Sequence, residues 1–351
     1  MSGSDRTRRQ GVPLTAADDS YTHQVVAPAA VTAYADPAWA ERCWHVVYLG
    51  DGWMAGAGRA VWPHGGRRTA RAGVNTGSVQ LARRVEEAFA IGDDPNRGDV
   101  GPVRIETVEP LREFRLVLDE PGLDFGFDLT YRARFPGVPS DRNLVERDGE
   151  VLTDYMNFFQ SGLYSGVVYA EGTERRVQDR AGFRDRGWGL RKHEGPARRG
   201  LHIACMCEFP HEALYILLYE TGSGRRVFTN GWLLNEDGVA DRVTDVEHDL
   251  EFDGTLMTGG TIRAVFASGA TRDVAATVEA RLWISTLGYS SDPALEGPGT
   301  NRFDVTDPET RARIAGVYEQ GCRFDSDGAT GHGFLETGLG AHARYLPDAT
   351  A

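Results

Sequence analysis

The chain has 351 residues, 41% of them apolar and 25% charged, enough to bury a large core in one or two domains. A formal net charge of −13 repels nucleic acid and anionic membranes, which argues against both as general partners. No apolar run of about 18 residues occurs, so no membrane-spanning helix is expected.

The opening stretch, MSGSDRTRRQGVPLTAADDS, is polar and lacks the apolar segment of a secretion signal; residues 1–20 are expected to form a disordered tail. In DPAWAERCW, Asp36 suits a helix cap and Pro37 the first helical position, which predicts a short helix. SVQLARRVEEAFA fits either helix or strand. EFRLVLDE alternates Phe114, Leu116 and Leu118. LDFGFDLTYRARF is the clearest period-two stretch. Phe125, Phe127, Leu129, Tyr131, Ala133 and Phe135 point one way and Asp128, Thr130, Arg132 and Arg134 the other, as in a half-buried antiparallel strand.

PGVPSDRNLVERDGEV, residues 136–151, is rich in Pro, Gly and charge. It predicts a boundary between an N-terminal β domain, 21–140, and a C-terminal β domain, 151–345. The aromatic stretch YMNFFQSGLYSGVVY, the turn AEGTERR and the segment AGFRDRGWGLRKHEG then read as strand, turn and strand. LHIACMCEFPHE places His202, Cys205, Cys207 and His211 within ten residues. Alternation puts both cysteines on an apolar face with Leu201, Ile203 and Phe209, and His202 on the other. One strand cannot wrap all four around an ion, so no metal is expected.

Downstream, ALYILLYETGSGRRVFTNGWLLNEDG, VEHDLEFDGTL, TIRAVFAS and VAATVEARLWIS continue the strands and Gly turns. In TDPETRARIAGVYEQG, Asp307 caps a predicted helix, Pro308 follows, Ile314, Val317 and Tyr318 share a face, and Gly321 stops it. The whole reads as an all-β protein of two antiparallel barrel or sandwich domains with a few short helices. Cys43, Cys205, Cys207 and Cys322 show no framework spacing, which suggests reduced thiols and a cytoplasmic setting. No Walker sequence, dinucleotide fingerprint, His-Glu-x-x-His or nucleophile elbow occurs, and GDGWMAGAG spaces its glycines wrongly for phosphate binding. No nicotinamide, flavin or other cofactor is therefore expected.

The densest chemistry lies in GFRDRGWGLR. One carboxylate, Asp185, stands among Arg184, Arg186 and Arg191, beside Trp188 between Gly187 and Gly189. If the segment is extended, Phe183 and Asp185 share an inward face, and Arg184 and Arg186 point to solvent. The two glycines would allow a bulge that turns Trp188 to the same interior. Three roles stay open for Asp185: catalytic acid, partner in an ion pair with an arginine, or part of a solvated turn.

GFRDRGWGLR, preceded by FQSGLYSG and followed by GHGFLETG, resembles the lipocalin-like superfamily of carotenoid 1,2-hydratases, tocopherol cyclases and decalin-forming Diels–Alderases. It is most similar to a bacterial two-domain branch. The resemblance implies lipocalin-like β domains and makes Asp185 the proton donor, with Trp188 and Gly189 matching the family segment. Gly187 stands where the hydratases have Asn, and Phe183 where they have Tyr.

On this reading the substrate is an isoprenoid or polyene, cyclised, hydrated or isomerised in secondary metabolism. Asp185 and Glu336 (with His332 beside it) are the candidate catalytic carboxyls. Trp188, Tyr164, Phe159, Gln160, Asn157, Tyr155, Phe183 and Trp53 are candidate substrate-binding residues, and Trp44 and Trp62 are further candidates for a cavity wall. A neutral Asp among aromatics suits protonation of an alkene, and aromatic faces stabilise the cation that follows. A pericyclase that folds a polyene without an acid, and a carrier of a hydrophobic small molecule, are the alternatives.

Overall fold

The computed structural model describes residues 14–23, 36–90, 92–147, 149–192, 200–289, 293–295 and 297–346. Strand accounts for 67% of the structure and helix for 6%, so the protein is all-β as the alternation predicts. Among the described residues, twelve strands come first: β1 Trp39–Gly50, β2 Trp53–Trp62, β3 Arg67–Asn75, β4 Val79–Ala88, β5 Asp99–Val100, β6 Val103–Glu109, β7 Glu113–Leu118, β8 Phe125–Ala133, β9 Val138–Pro139, β10 Asn143–Arg147, β11 Glu150–Ala170 and β12 Thr173–Arg191. Nine follow: β13 Leu201–Glu208, β14 Glu212–Glu220, β15 Arg226–Asn235, β16 Gly238–Asp253, β17 Leu256–Phe266, β18 Thr271–Leu282, β19 Gly299–Asp304, β20 Tyr318–Ser326 and β21 Ala329–Leu339.

These strands make two structures. One is a curled 13-stranded sheet in the order β19-β4-β3-β2-β1-β12-β11-β8-β7-β6-β5, with β9 and β10 also paired to β11. The other is a closed eight-stranded barrel, β13-β14-β15-β16-β17-β18-β20-β21. Strand pairing therefore changes over between Arg191 and Leu201, not at residues 136–151. The Pro- and Gly-rich stretch that suggested a boundary instead carries β9 and β10, two short strands that fold back onto β11. The strand pair 150–191, assigned from sequence to the C-terminal domain, lies at the centre of the first sheet, and β19 returns late in the chain to cover its β4 edge.

Each structure has its own core. Ile203, Cys205, Cys207, Leu214, Ile216, Ile262, Cys322 and Leu335 fill the barrel lumen. Val47, Ala57, Val74, Leu116, Phe127, Leu129, Tyr131 and Tyr164 fill the concave side of the sheet. A third cluster joins the two: Trp44, Val46, Phe159 and Phe183 of the sheet pack against Met206, Tyr215, Leu217, Leu282 and Phe334 on the outside of the barrel. At about 20 residues each, β11 and β12 far exceed the usual strand of 5–6 residues. Over Gly182–Leu190 of β12 both faces are covered, one by the sheet's own core and the other by the barrel, whereas Thr173–Arg180 is mostly exposed.

Several local expectations need correction. Residues 36–44 do not form a helix. Asp36 Oδ1 accepts from Ala38 N at 2.8 Å, and the chain enters β1 at Trp39, where a strand buries Trp39, Ala40 and Trp44. The stretch 78–90, open between helix and strand, forms β4. The helix capped by Asp307 is present as α1, Pro308–Ile314, with Thr310 N donating to Asp307 Oδ2 at 2.9 Å. It ends at Ile314, and Tyr318 and Gly321 belong to β20 because their neighbours pair with β18 and β21.

The N-terminal tail is ordered over part of the expected range. Residues 1–13 lie outside the described residues, but Ala16–Asp19 form a 3-10 turn, and Asp19 is buried against Arg184. Cys205 and Cys207 lie in the barrel core with their sulfurs 3.2 Å apart, and His202 projects from the opposite face, as alternation predicts. The four cysteines are free thiols. Among the described residues, no helix is long and apolar enough to cross a membrane.

Candidate active site

The face of the sheet that meets the barrel is set by register. Asp185 on β12 stands directly opposite Trp44 on β1 and Phe159 on β11; Gly187 stands opposite Arg42 and Asn157. Period-two alternation then turns Arg42, Trp44, Tyr155, Asn157, Phe159, Phe183 and Asp185 to one side. Across the crevice the barrel presents His202 from β13, Tyr215 and Tyr219 from β14, Glu319 from β20, and Phe334 and Glu336 from β21. Phe159 stacks on Tyr215 at 4.5 Å between centroids, and Phe183 meets Phe334 edge-on at 5.1 Å. The crevice wall is thus largely aromatic.

Three carboxyl groups converge in it. Glu319 and Glu336 face each other directly across the β20–β21 ladder. Two ionised carboxylates in that position repel, so the pair holds a proton between its oxygens. Burial pushes Glu319 well up, and the neighbouring Glu336 adds to it. Burial likewise pushes Glu336 to about 7. Burial raises Asp185 to about 6; Arg191, a hydrogen bond from Asn157, and the charges of Arg186 and Arg42 pull it back part of the way.

His202 Nδ1 lies 3.2 Å from Glu336 Oε1, and the His202 ring stacks on Tyr219 at 4.8 Å. Burial, reinforced by the charge of Arg191, lowers His202 to about 3, so its imidazole is neutral near pH 7. Several buried polar atoms have no hydrogen-bond partner: Asp185 Oδ1, Glu319 Oε2, Trp44 Nε1, Tyr215 Oη and Arg42 Nη1. Unpaired buried polar atoms are rare and costly, and a row of them around one crevice marks where a ligand or water belongs.

Gly187 makes room for this arrangement. A Cβ at that position would stand 1.9 Å from Tyr155 Oη, so the Tyr155 hydroxyl lies over the glycine. Gly187→Ala is expected to drive the Tyr155 ring out of place and to lower stability by about 1–3 kcal/mol through overpacking. Urea unfolding of the variant beside the parent checks it; an unchanged midpoint would mean that the ring moves freely.

The sequence-derived candidates divide cleanly. Asp185, Glu336, Tyr155, Asn157, Phe159 and Phe183 come together at the crevice, as does Trp44. Trp188, Tyr164, Gln160 and Trp53 do not. Trp188 lies on the other face of β12, stacked on His23 at 3.7 Å. Tyr164 is fully buried in the first sheet, bonded to His45 Nδ1 at 3.0 Å and to Phe183 O at 3.1 Å. Gln160 holds Arg184 through its side-chain oxygen and donates to the carbonyls of Leu111 and Phe135. Trp53 packs in the core of the sheet under Arg175. Trp62 lies among Ala40, Ala60 and the cations Arg42 and Arg67. His332 is exposed, and the histidine beside Glu336 is His202.

Arg184 and Arg186 overturn the expectation of a solvated face. Both are 1% exposed. Arg184 Nη1 donates to Asp19 Oδ1 at 2.6 Å, and Arg186 pairs with Glu41. Neither forms an ion pair with Asp185. The missed residues are Glu319, His202, Tyr215, Tyr219, Arg42 and Arg191. Glu319 was hidden by the helix expected to run on to Gly321; read as a strand, it alternates with the core residues Gln320 and Cys322 and points at the crevice.

The profile of a family of unknown function, DUF8625, matches residues 14–297. The chain belongs to that family. No curated protein matches it significantly in sequence. Among solved structures, this DUF8625 member is similar to kievitone hydratase from Nectria haematococca, with a TM-score of 0.51 and 11% identity over 86% of this chain and 88% of the other. It is also similar to a protein described as an ATTH from Nitrosomonas europaea, with a TM-score of 0.55 and 13% identity over 89% and 99%. CghA, a Diels–Alderase, in complex with Sch210972 aligns with a TM-score of 0.52 and 12% identity over 86% and 88%. The likeness to these solved structures shows a shared all-β fold.

Proposed function

We propose that this protein is a non-redox enzyme, a lyase or isomerase, that carries out acid–base chemistry on a hydrophobic small molecule in the crevice between sheet and barrel. The observation that carries the reading is the convergence of Asp185 with the Glu319–Glu336 pair inside an aromatic enclosure. Carboxyls raised toward neutrality are both competent donors and competent acceptors near pH 7. The solved neighbours support an enzyme of hydratase or cyclase type through their shared fold alone.

In a hydration, Asp185 gives its proton to one carbon of a double bond. A water oxygen bonds to the other carbon, and the water's surplus proton passes to the Glu319–Glu336 pair. The net change is addition of one water, with no oxidation. In a cyclisation a second double bond takes the place of water, and the cyclised cation gives up a proton to the same pair. No step needs a cofactor. The aromatic wall of Phe159, Phe183, Tyr215 and Phe334 suits the apolar body of an isoprenoid or polyene.

That wall also suits a pericyclase, which would fold its substrate without proton transfer. Turnover in D2O separates the two. The acid route places one deuterium on carbon for each hydration, whereas a concerted cycloaddition places none. Product lacking carbon-bound deuterium would overturn the acid–base reading.

A further inference from the structure

Two cations in the crevice are left without counter-ions. Arg42 and Arg191 both lie over the ring of Tyr155, at 5.7 and 5.1 Å from its centroid. Among the described residues, neither guanidinium comes within 4 Å of a carboxylate or donates a hydrogen bond to a side chain, and Arg42 Nη1 is buried without any partner. Arg42 stands directly across from Gly187, the glycine beneath the Tyr155 hydroxyl, and Asp185 is two residues away on the same face of β12. The two cations and the acid therefore gather around the Tyr155 hydroxyl, which covers Gly187.

Several other arginines have carboxylate partners, whereas Arg59 and Arg84 are buried against backbone carbonyls and, for Arg84, the Asn301 amide. Arg184 has Asp19 and Arg186 has Glu41. On the barrel, an open depression of about 760 Å³ contains Arg226, Arg263 and Arg344, and each is paired with Glu220, Asp273 or Asp249. Arg42 is half-buried with its Nη1 buried and unpartnered, and Arg191 beside it is exposed to solvent; a buried donor left open next to a second cation suits an electron-rich group that arrives there.

We propose that Arg42, Arg191 and Tyr155 form the oxygen-binding end of the site, and that the substrate presents there a carbonyl conjugated to the reacting double bond. This rests on the acid–base reading above and narrows its substrate class to α,β-unsaturated or enolisable carbonyl compounds. The chemistry selects that class over a bare hydrocarbon. A carbocation formed beside Asp185 would be repelled by two guanidinium groups, whereas an enolate oxygen would be held by them. Water then bonds to the β carbon and the π electrons move onto the carbonyl oxygen, where Arg42 and Arg191 stabilise the enolate. Asp185 delivers its proton to the α carbon as the carbonyl re-forms. The water's second proton goes to the Glu319–Glu336 pair.

The test uses two probes that differ only in oxygen, dibenzoylmethane and 1,3-diphenylpropane, titrated against tryptophan fluorescence and the probe's own ultraviolet spectrum. The diketone is expected to bind at least about tenfold more tightly and to shift to its enolate absorption in the complex, since charge-assisted hydrogen bonds are the stronger kind. Arg191→Met keeps the side-chain stem against Tyr155, and Arg42→Met does the same from β1. At least one of the two should abolish most of the diketone's advantage without changing the hydrocarbon's affinity, and Arg191→Lys should restore part of it.

Equal binding of the two probes, no binding of the diketone, or undiminished affinity in both methionine variants would overturn the proposal. Melting temperatures of the variants show whether a loss reflects unfolding, in which case Arg191→Lys carries the comparison. These outcomes are separable from the acid–base reading. Failure of the probes leaves deuterium incorporation on carbon intact, and failure of incorporation leaves the probe affinities intact.

Discussion

Asp185→Asn is expected to lower turnover by roughly 10²–10⁴-fold, the usual worth of a general acid, while the fold survives. Asn keeps the shape of the side chain and removes the transferable proton. Asp185 forms no ion pair that the change would break, and its Oδ1 is buried without a partner. The pH dependence has a definite sign. The acid acts when protonated, so kcat/KM should be present below about 6 and fall as the pH rises through it, and that limb should vanish in the variant.

Stability follows the same titration. A carboxyl raised in the folded state contributes stability at low pH and loses it as the pH rises from the ordinary carboxylate range through about 6. Asp185→Asn should therefore be at least as stable as the parent at pH 8. Turnover and melting temperature across pH 5–8 measure both effects. A fully active variant would remove Asp185 from the chemistry, and a variant destabilised at pH 8 would return it to a structural role.

Arg184→Ala should destabilise the protein by about 3–5 kcal/mol, because it strands the carboxylate of Asp19 in the first sheet with no counter-charge. Arg186→Ala should do the same to Glu41. The loss belongs to the stranded charge and not to the bridge itself. Arg184→Met combined with Asp19→Asn should therefore recover much of the stability that Arg184→Met alone loses. Urea unfolding of the three proteins measures it. A loss below about 1 kcal/mol for Arg184→Ala would show that water reaches Asp19 and that the N-terminal segment is loosely held.

The physical consequence is a division of labour across one strand. Odd positions of β12 from Phe183 to Gly187 serve the crevice, and even positions from Arg184 to Trp188 serve the interior of the sheet. Substitutions one residue apart should therefore separate activity from stability.

The sequence by itself determined a good deal of this. Strand-length alternation marked the all-β class, the face shared by Phe183 and Asp185, the opposite faces of His202 and Cys205, and the capped start of the helix at Asp307. These are local properties, because side-chain direction in a strand has a period of two and a cap needs only four consecutive residues. Glu336 was visible through its resemblance to a family segment, although its true neighbour His202 was not. Alternation says that a strand has two faces but not what covers each one. Both faces of β12 are covered around Arg184 and Asp185, so the pattern could not tell that Arg184 meets Asp19 across 165 residues while Asp185 faces a barrel whose strands begin at Leu201. The pairing of Glu319 with Glu336, the unpaired cations over Tyr155 and the point at which the strands change sheets were all decided by tertiary structure. Each depends on segments distant in the chain that meet only when the barrel closes against the sheet.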